Sequence, residues 1–185
     1  MKMRKLLACA LLGSWTTASL IACTSHTNTS GTQSKMTKPD PTQLIGQLHT
    51  KPPLEAAQAE YAAAVEQMAE RIVALIPGLT WKMEQNTWDG CGGKYVDTNA
   101  KNAYLMATFS GPIPDSVWPQ SLQIVKDIAG QKDAHEFGTF KDQPGDHDVY
   151  IAGPDGIEFR FGTQKAAVLT AKSDCRLRQL DMPAN

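Results

Sequence analysis

The residues whose types and spacing could do chemistry are Asp142, Asp146, His147 and Asp148, with His135 a short way upstream. Carboxylates and imidazoles are ligands that zinc accepts, and a histidine beside an acidic group is the common general acid–base pair. The cluster therefore points to a metal site or to a small enzyme working through His135 or His147. Its setting points to a third reading. Pro144-Gly145 lies inside it, and Asp-rich stretches around such a pair form hairpin turns, because short polar side chains bond the turn backbone. More specific signatures are absent: there is no Gly-x-Ser-x-Gly, no P-loop, no dinucleotide fingerprint and no His-Glu-x-x-His. The expectation is a non-catalytic domain with no metal or cofactor, the His135/His147 enzyme standing as the alternative and a purely structural envelope component as a third reading.

The elements that must position these residues follow from hydrophobic period. Leu44, Ile45 and Leu48 make one inward-facing turn between Thr42 and His49. From Leu54 to Ile76, the residues Leu54, Ala57, Tyr61, Val65, Met68, Ile72 and Leu75 recur every three or four positions, the stripe of a long amphipathic helix that ends at Pro77-Gly78. Leu79, Trp81 and Met83 alternate with polar residues as in a half-buried strand, and Ala103, Leu105, Ala107 and Phe109 form the inward set of a second. Between them, Gln85 to Asn102 reads as a long Gly-rich loop. Loops carry function more often than the elements they join, so Trp88, Asp89 and Lys94 are the candidate binding residues there. A second helix is expected over Asp115 to Ala129, capped by Asp115 or Ser116, with Trp118 at its entrance as a staple on the core or as an apolar wall for a ligand.

The last third reads as four short strands: His135 to Phe140, His147 to Ala152, Ile157 to Phe161 and Ala166 to Ser173. Asp155-Gly156 is a hairpin signal. Ile157, Phe159 and Phe161 face one side, and Glu158 and Arg160 the other. The order helix, two strands, helix, four strands fits an α+β fold: an antiparallel sheet of about five to six strands with two helices packed on one face.

The N-terminus sets location. Lys2, Arg4 and Lys5 precede an uncharged run from Leu6 to Ala22, a charged start and an apolar stretch too short and too interrupted by Gly and Ser/Thr for a spanning helix. It closes on Leu20-Ile21-Ala22-Cys23, which resembles a bacterial lipobox. Residues 1–22 are thus expected to be a signal peptide, residues 23–40 a lipidated cysteine with a flexible Ser/Thr/Asn/Gly tether, and residues 41–185 a single domain. The expected site is the outer face of the cell membrane, with the membrane as partner through the anchor.

Cleavage would leave 163 residues with a formal charge of −4, since all 19 acidic residues fall after the cut and three of the 18 basic ones before it. That balance argues against nucleic acid as a partner. Cys9 would be lost and Cys23 acylated, leaving Cys91 and Cys175 as the economical disulfide in an oxidising compartment.

In series, Ile76-Pro77-Gly78-Leu79-Thr80-Trp81-Lys82, Cys91-Gly92-Gly93, Glu158-Phe159-Arg160 and Asp174-Cys175 resemble the LppA/LppV-type family of mycobacterial lipoproteins, over roughly residues 42 to 181. The resemblance implies an exported, acylated envelope protein with its two remaining cysteines bonded, and implies no activity. The expected role is a non-catalytic binding or interaction module for an envelope protein or an apolar ligand. Radioactive palmitate should label the wild type and not Cys23→Ser; equal labelling of both would remove the anchor.

Overall fold

The computed structural model describes residues 40–184. The expected signal peptide, Cys23 and the tether up to residue 39 lie outside the described residues. Helix α1 spans Pro41–Leu48, α2 Leu54–Val73 and α3 Trp118–Gly130; the strands are β1 Trp81–Gly90, β2 Lys101–Phe109, β3 Glu136–Gln143, β4 Asp146–Ala152, β5 Glu158–Thr163 and β6 Ala167–Lys172. The fold is α+β, a six-stranded sheet in the order β1-β2-β6-β5-β4-β3 with every neighbour antiparallel. No helix among the described residues is long and apolar enough to cross a membrane.

Period-two alternation divides the sheet into two faces. Ala103, Leu105, Ala107 and Phe109 of β2, Leu169 and Ala171 of β6, Phe159 and Phe161 of β5, and Val149 and Ile151 of β4 are buried on one of them. They pack against the α2 stripe of Leu54, Tyr61, Val65, Met68 and Ile72 and against Trp118, Val125 and Ile128 of α3. The space between sheet and helices is filled by these side chains; Tyr61 stacks on Phe159 at 5.6 Å. Helix α1 belongs to a second, smaller cluster with the disulfide, where Leu44 and Leu48 meet Tyr95, Ala100 and Leu177.

Three expectations need correction. The Gly-rich loop is shorter than its composition suggests, because β1 continues to Gly90 and β2 begins at Lys101. A bulge between Met83 and Gln85 shifts the register, and beyond it β1 is an exposed edge strand. A bulge breaks the two-residue period, and an edge exposed on both sides selects no apolar residues, so the strand is invisible to hydrophobic pattern. Trp88 and Asp89 therefore sit on β1; Lys94 alone of the three is in the loop. Second, α3 starts at Trp118 without a side-chain cap, since Asp115 is bonded elsewhere, as described below. Third, α2 ends at Val73 rather than Ile76.

Cys91 and Cys175 are bonded, with their Cα atoms 6.1 Å apart and a separation of 84 positions in sequence. The bridge ties the loop after β1 to the segment after β6, where Lys101 and Arg176 also exchange backbone hydrogen bonds at 2.8 Å. Chain entropy for a loop of this length amounts to about 4.5 kcal/mol, an upper figure. The double variant Cys91→Ala/Cys175→Ala should lose about 2–5 kcal/mol in denaturant unfolding. An unchanged midpoint would show that the small cluster holds without it.

Candidate functional site

Among the described residues no helix covers the second face of the sheet, and its side chains form rows across the strands. One row reads Thr108, Val168, Gly162, Asp148, Lys141 from β2 to β3. The next reads Met106, Thr170, Arg160, Tyr150, Gly138, and the third Tyr104, Lys172, Glu158, Ala152, Glu136. A trough of about 510 Å³ runs over the central strands, walled by Tyr104, Asp148, Arg160, Val168, Thr170 and Lys172. Gly162 is its floor: a Cβ there would come 3.1 Å from the His147 carbonyl oxygen, so the hollow exists where a side chain is missing. The volume lies within the usual range for ligand sites.

Four charged groups of this face, Arg160, Asp148, Lys141 and Asp146, form two ion pairs. Arg160 grips Asp148 in a bidentate pair, through Nε to Oδ1 at 2.8 Å and through its second nitrogen to Oδ2, and its guanidinium also lies over Phe140 at 4.7 Å. The Asp148 contact raises the Arg160 pKa. Lys141 holds Asp146 at 2.6 Å, and Gln164 donates to the same oxygen at 3.1 Å. Glu158 and Lys172 stand opposite each other on β5 and β6. A second hollow of about 530 Å³, lined by Gly92, Gly93, Lys94 and Asn102, shares Lys172 with the first. Lys94 binds Asp155 at 2.7 Å, and that ammonium holds the Asp155 carboxyl below the ordinary range.

The polar cluster of the sequence converges only at His147 and Asp142. Alternation sends Asp146 and Asp148 to the open face, whereas His147 is buried on the helix side with 9% of its side chain exposed. There its ring stacks on Trp118 at 4.6 Å, and Trp118 stacks on Phe161 at 4.8 Å. Nδ1 meets Asp142 at 2.7 Å and Nε2 meets Asp115 at 3.0 Å. An imidazolium can donate to both carboxylates, a neutral ring to only one. Both ring nitrogens are thus engaged by carboxylates. His135 is exposed and bonded through its backbone to Ala152, at the far end of β4 from His147 and about 17 Å from it at strand rise. The two histidines therefore share no pocket, and of the two it is His147 that stands beside acidic partners, Asp115 and Asp142. No group of three His, Cys, Asp or Glu among the described residues is arranged to hold a metal ion.

The other candidates fall in different places. Trp118 is a core residue, 6% exposed. Trp88 faces the helix side, with Lys101 Nζ 5.5 Å and the Arg178 guanidinium 5.6 Å from its ring. Asp89 is on the open face opposite Asn102, and Lys94 lies at the end of the second hollow. Sequence reasoning missed Asp115 as the partner of His147 and missed Gly162. Arg160 and Glu158 were legible as off-core positions of an alternating strand.

Comparison with known proteins places this architecture. A family model described as LppA, a lipoprotein confined to pathogenic Mycobacterium, matches residues 30–179. The chain belongs to the LppA family. LppA of Mycobacterium tuberculosis strain H37Rv, named as a lipoprotein, is 27% identical over 191 residues, covering 98% of this chain and 86% of that protein. LppB of the same strain is 26% identical over 152 residues, covering 77% and 69%. The crystal structure of M. tuberculosis LppA superposes with a TM-score of 0.66 at 23% identity, over 80% of this chain and 96% of that one. A DUF4853 family protein from Actinomyces odontolyticus shares the fold at a TM-score of 0.51 and 12% identity, over 70% and 71%.

In this LppA-family chain, Asp115 clamps the β3–β4 hairpin: it accepts from the Gly145 backbone at 2.8 Å as well as from His147. The Gly145 N–H first, and then His147, hold its carboxyl below the ordinary 3.8. The unfolded chain thus binds the extra proton as pH falls past that value, so the clamp's contribution is complete above about pH 5 and lost below the native pKa. Stability should decline from pH 5 to pH 3, and Asp115→Asn should decline less steeply. Equal slopes would take Asp115 out of the clamp.

Proposed function

We propose that this LppA-family protein is an envelope lipoprotein, exported and held by acylated Cys23 on the outer face of the cell membrane, that binds a ligand on its uncovered sheet face and performs no chemistry of its own. The carrying observation is the Gly162-floored trough of about 510 Å³ on four central strands, which no helix among the described residues covers. Convergent polar groups around a concave hollow are the general form of a binding site. Two observations support the absence of chemistry: the ring nitrogens of His147 are both engaged, and Arg160 and Asp148 of the trough are paired with each other. The lipoprotein names of the relatives support the location. The Thr/Ser/Asn-rich stretch after Cys23 would act as the tether that lifts the domain from the lipid.

The test is nuclear magnetic resonance of the mature, acylated, ¹⁵N-labelled protein in detergent, titrated with a protein-free mycobacterial envelope extract. Shifts should concentrate on Tyr104, Gly162 and Thr170, and should vanish in Gly162→Val or, if that variant melts early, in Thr170→Trp. No shift, or shifts spread away from this face, would overturn the binding reading.

A further inference from the structure

Resting on the binding reading, the chemistry of the trough also selects among ligand classes. Its central strands β2, β6, β5 and β4 are each paired on both sides, so their backbone groups are taken. A peptide recognised by strand addition needs a free edge, and the edges here are β1 and β3, outside the trough. An acyl chain needs a continuous apolar wall, whereas Asp148, Glu158, Arg160, Thr170 and Lys172 interrupt this one and Val168 is isolated among them.

Charge narrows the choice further. Arg160 is satisfied by Asp148, Lys141 by Asp146 and Lys94 by Asp155, and Lys172 stands opposite Glu158. A charged ligand at any of these three ion pairs would have to displace one member and leave its partner uncompensated, and Lys172 with Glu158 adds one charge of each sign and favours neither. A neutral polyhydroxyl compound has no such conflict. Its hydroxyls accept from a guanidinium and donate to a carboxylate at once, and charge-assisted bonds of this kind are the strong ones. The Tyr104 ring on the wall offers a flat amphipathic surface. At the junction with the second hollow, Asn102 Oδ1 is enclosed without a hydrogen-bond donor, and turning that amide toward a hydroxyl would supply one.

We infer that the trough is a binding site for a neutral oligosaccharide, lying along β6 from Val168 to Lys172, a span of about 13 Å, with the Arg160–Asp148 pair and Tyr104 as its principal contacts. The length favours a short chain of sugars over a single one.

The experiment divides a mycobacterial envelope hydrolysate into a neutral oligosaccharide fraction and an anionic one, and prepares the extracted lipids as vesicles. Each is titrated into the mature acylated protein in the resonance experiment above. The neutral fraction should shift Tyr104, Gly162 and Thr170 saturably, and Arg160→Ala, with its melting temperature checked, should weaken that binding by roughly tenfold, the loss of one charge-assisted bond. Tyr104→Ala should weaken it as well. Shifts at the trough from the anionic fraction or the vesicles but not from the neutral fraction would overturn the ligand class and leave the binding reading intact. Neutral sugars that bind away from the trough, or bind Arg160→Ala and Tyr104→Ala as tightly as wild type, would also overturn it. Silence from all three preparations would overturn both.

Discussion

Two helices lie against one face of a six-stranded sheet, and that unequal cover governs the rest of the molecule. On strands β2, β6, β5 and β4 every second residue is turned toward the helix side, and those positions hold Ala, Leu, Ile, Val and Phe, with His147 and Thr163 as buried polar members at one end. The intervening positions meet no helix among the described residues. They must be polar or self-covering to stay in water, since an apolar sheet face of this size would associate. Arg160, Asp148, Glu158, Lys172 and Thr170 meet that requirement, and Tyr150 lies over Gly138, where an added Cβ would come within 2.2 Å of its ring. The same asymmetry that builds the core therefore builds the trough. A sandwich with both faces buried would have no such surface.

The sheet is pinned at two remote places by different physics. Near Cys91 and Cys175 the bond acts on the unfolded chain, whose entropy it limits, and a small apolar cluster with α1 gathers round it. Near the β3–β4 hairpin the pin is electrostatic and aromatic. Phe161, Trp118 and His147 stack, Asp115 and Asp142 take the ring's two nitrogens, and Thr163 receives the Ile113 N–H at 2.8 Å. This second pin holds the loop that enters α3 and fixes the end of β4 from which Asp146 and Asp148 project to the opposite face. Exposed ion pairs such as Arg160–Asp148 add little to stability, about 0–1 kcal/mol each. Their consequence is arrangement: each keeps two long side chains in defined positions on the wall of the trough.

Much of the architecture was legible in the order of residues. The α2 stripe, the inward sets of β2 and β5, the Asp155-Gly156 turn and the pairing of Cys91 with Cys175 all rest on local period or on a simple count, and local period reflects burial directly. Asp155 and Gly156 do adopt positive φ values of 54° and 92°. The second half of β1 was hidden, because a bulge reverses the alternation and an exposed edge removes the apolar residues that would reveal it. Trp88 consequently read as a loop aromatic when it is a strand residue between two cations.

What the sequence by itself determined is the class of every central element, because a side chain's preference for oil or water is a property of that residue and repeats with the geometry of its own strand or helix. It did not determine which residues meet. His147 and Asp115 are 32 positions apart, and the trough draws residues from each of four strands whose spatial order departs from their order in the chain. The partners of a charge and the shape of a hollow depend on register and strand order. Those follow from the packing of the whole sheet against α2 and α3, and only the tertiary structure decided them.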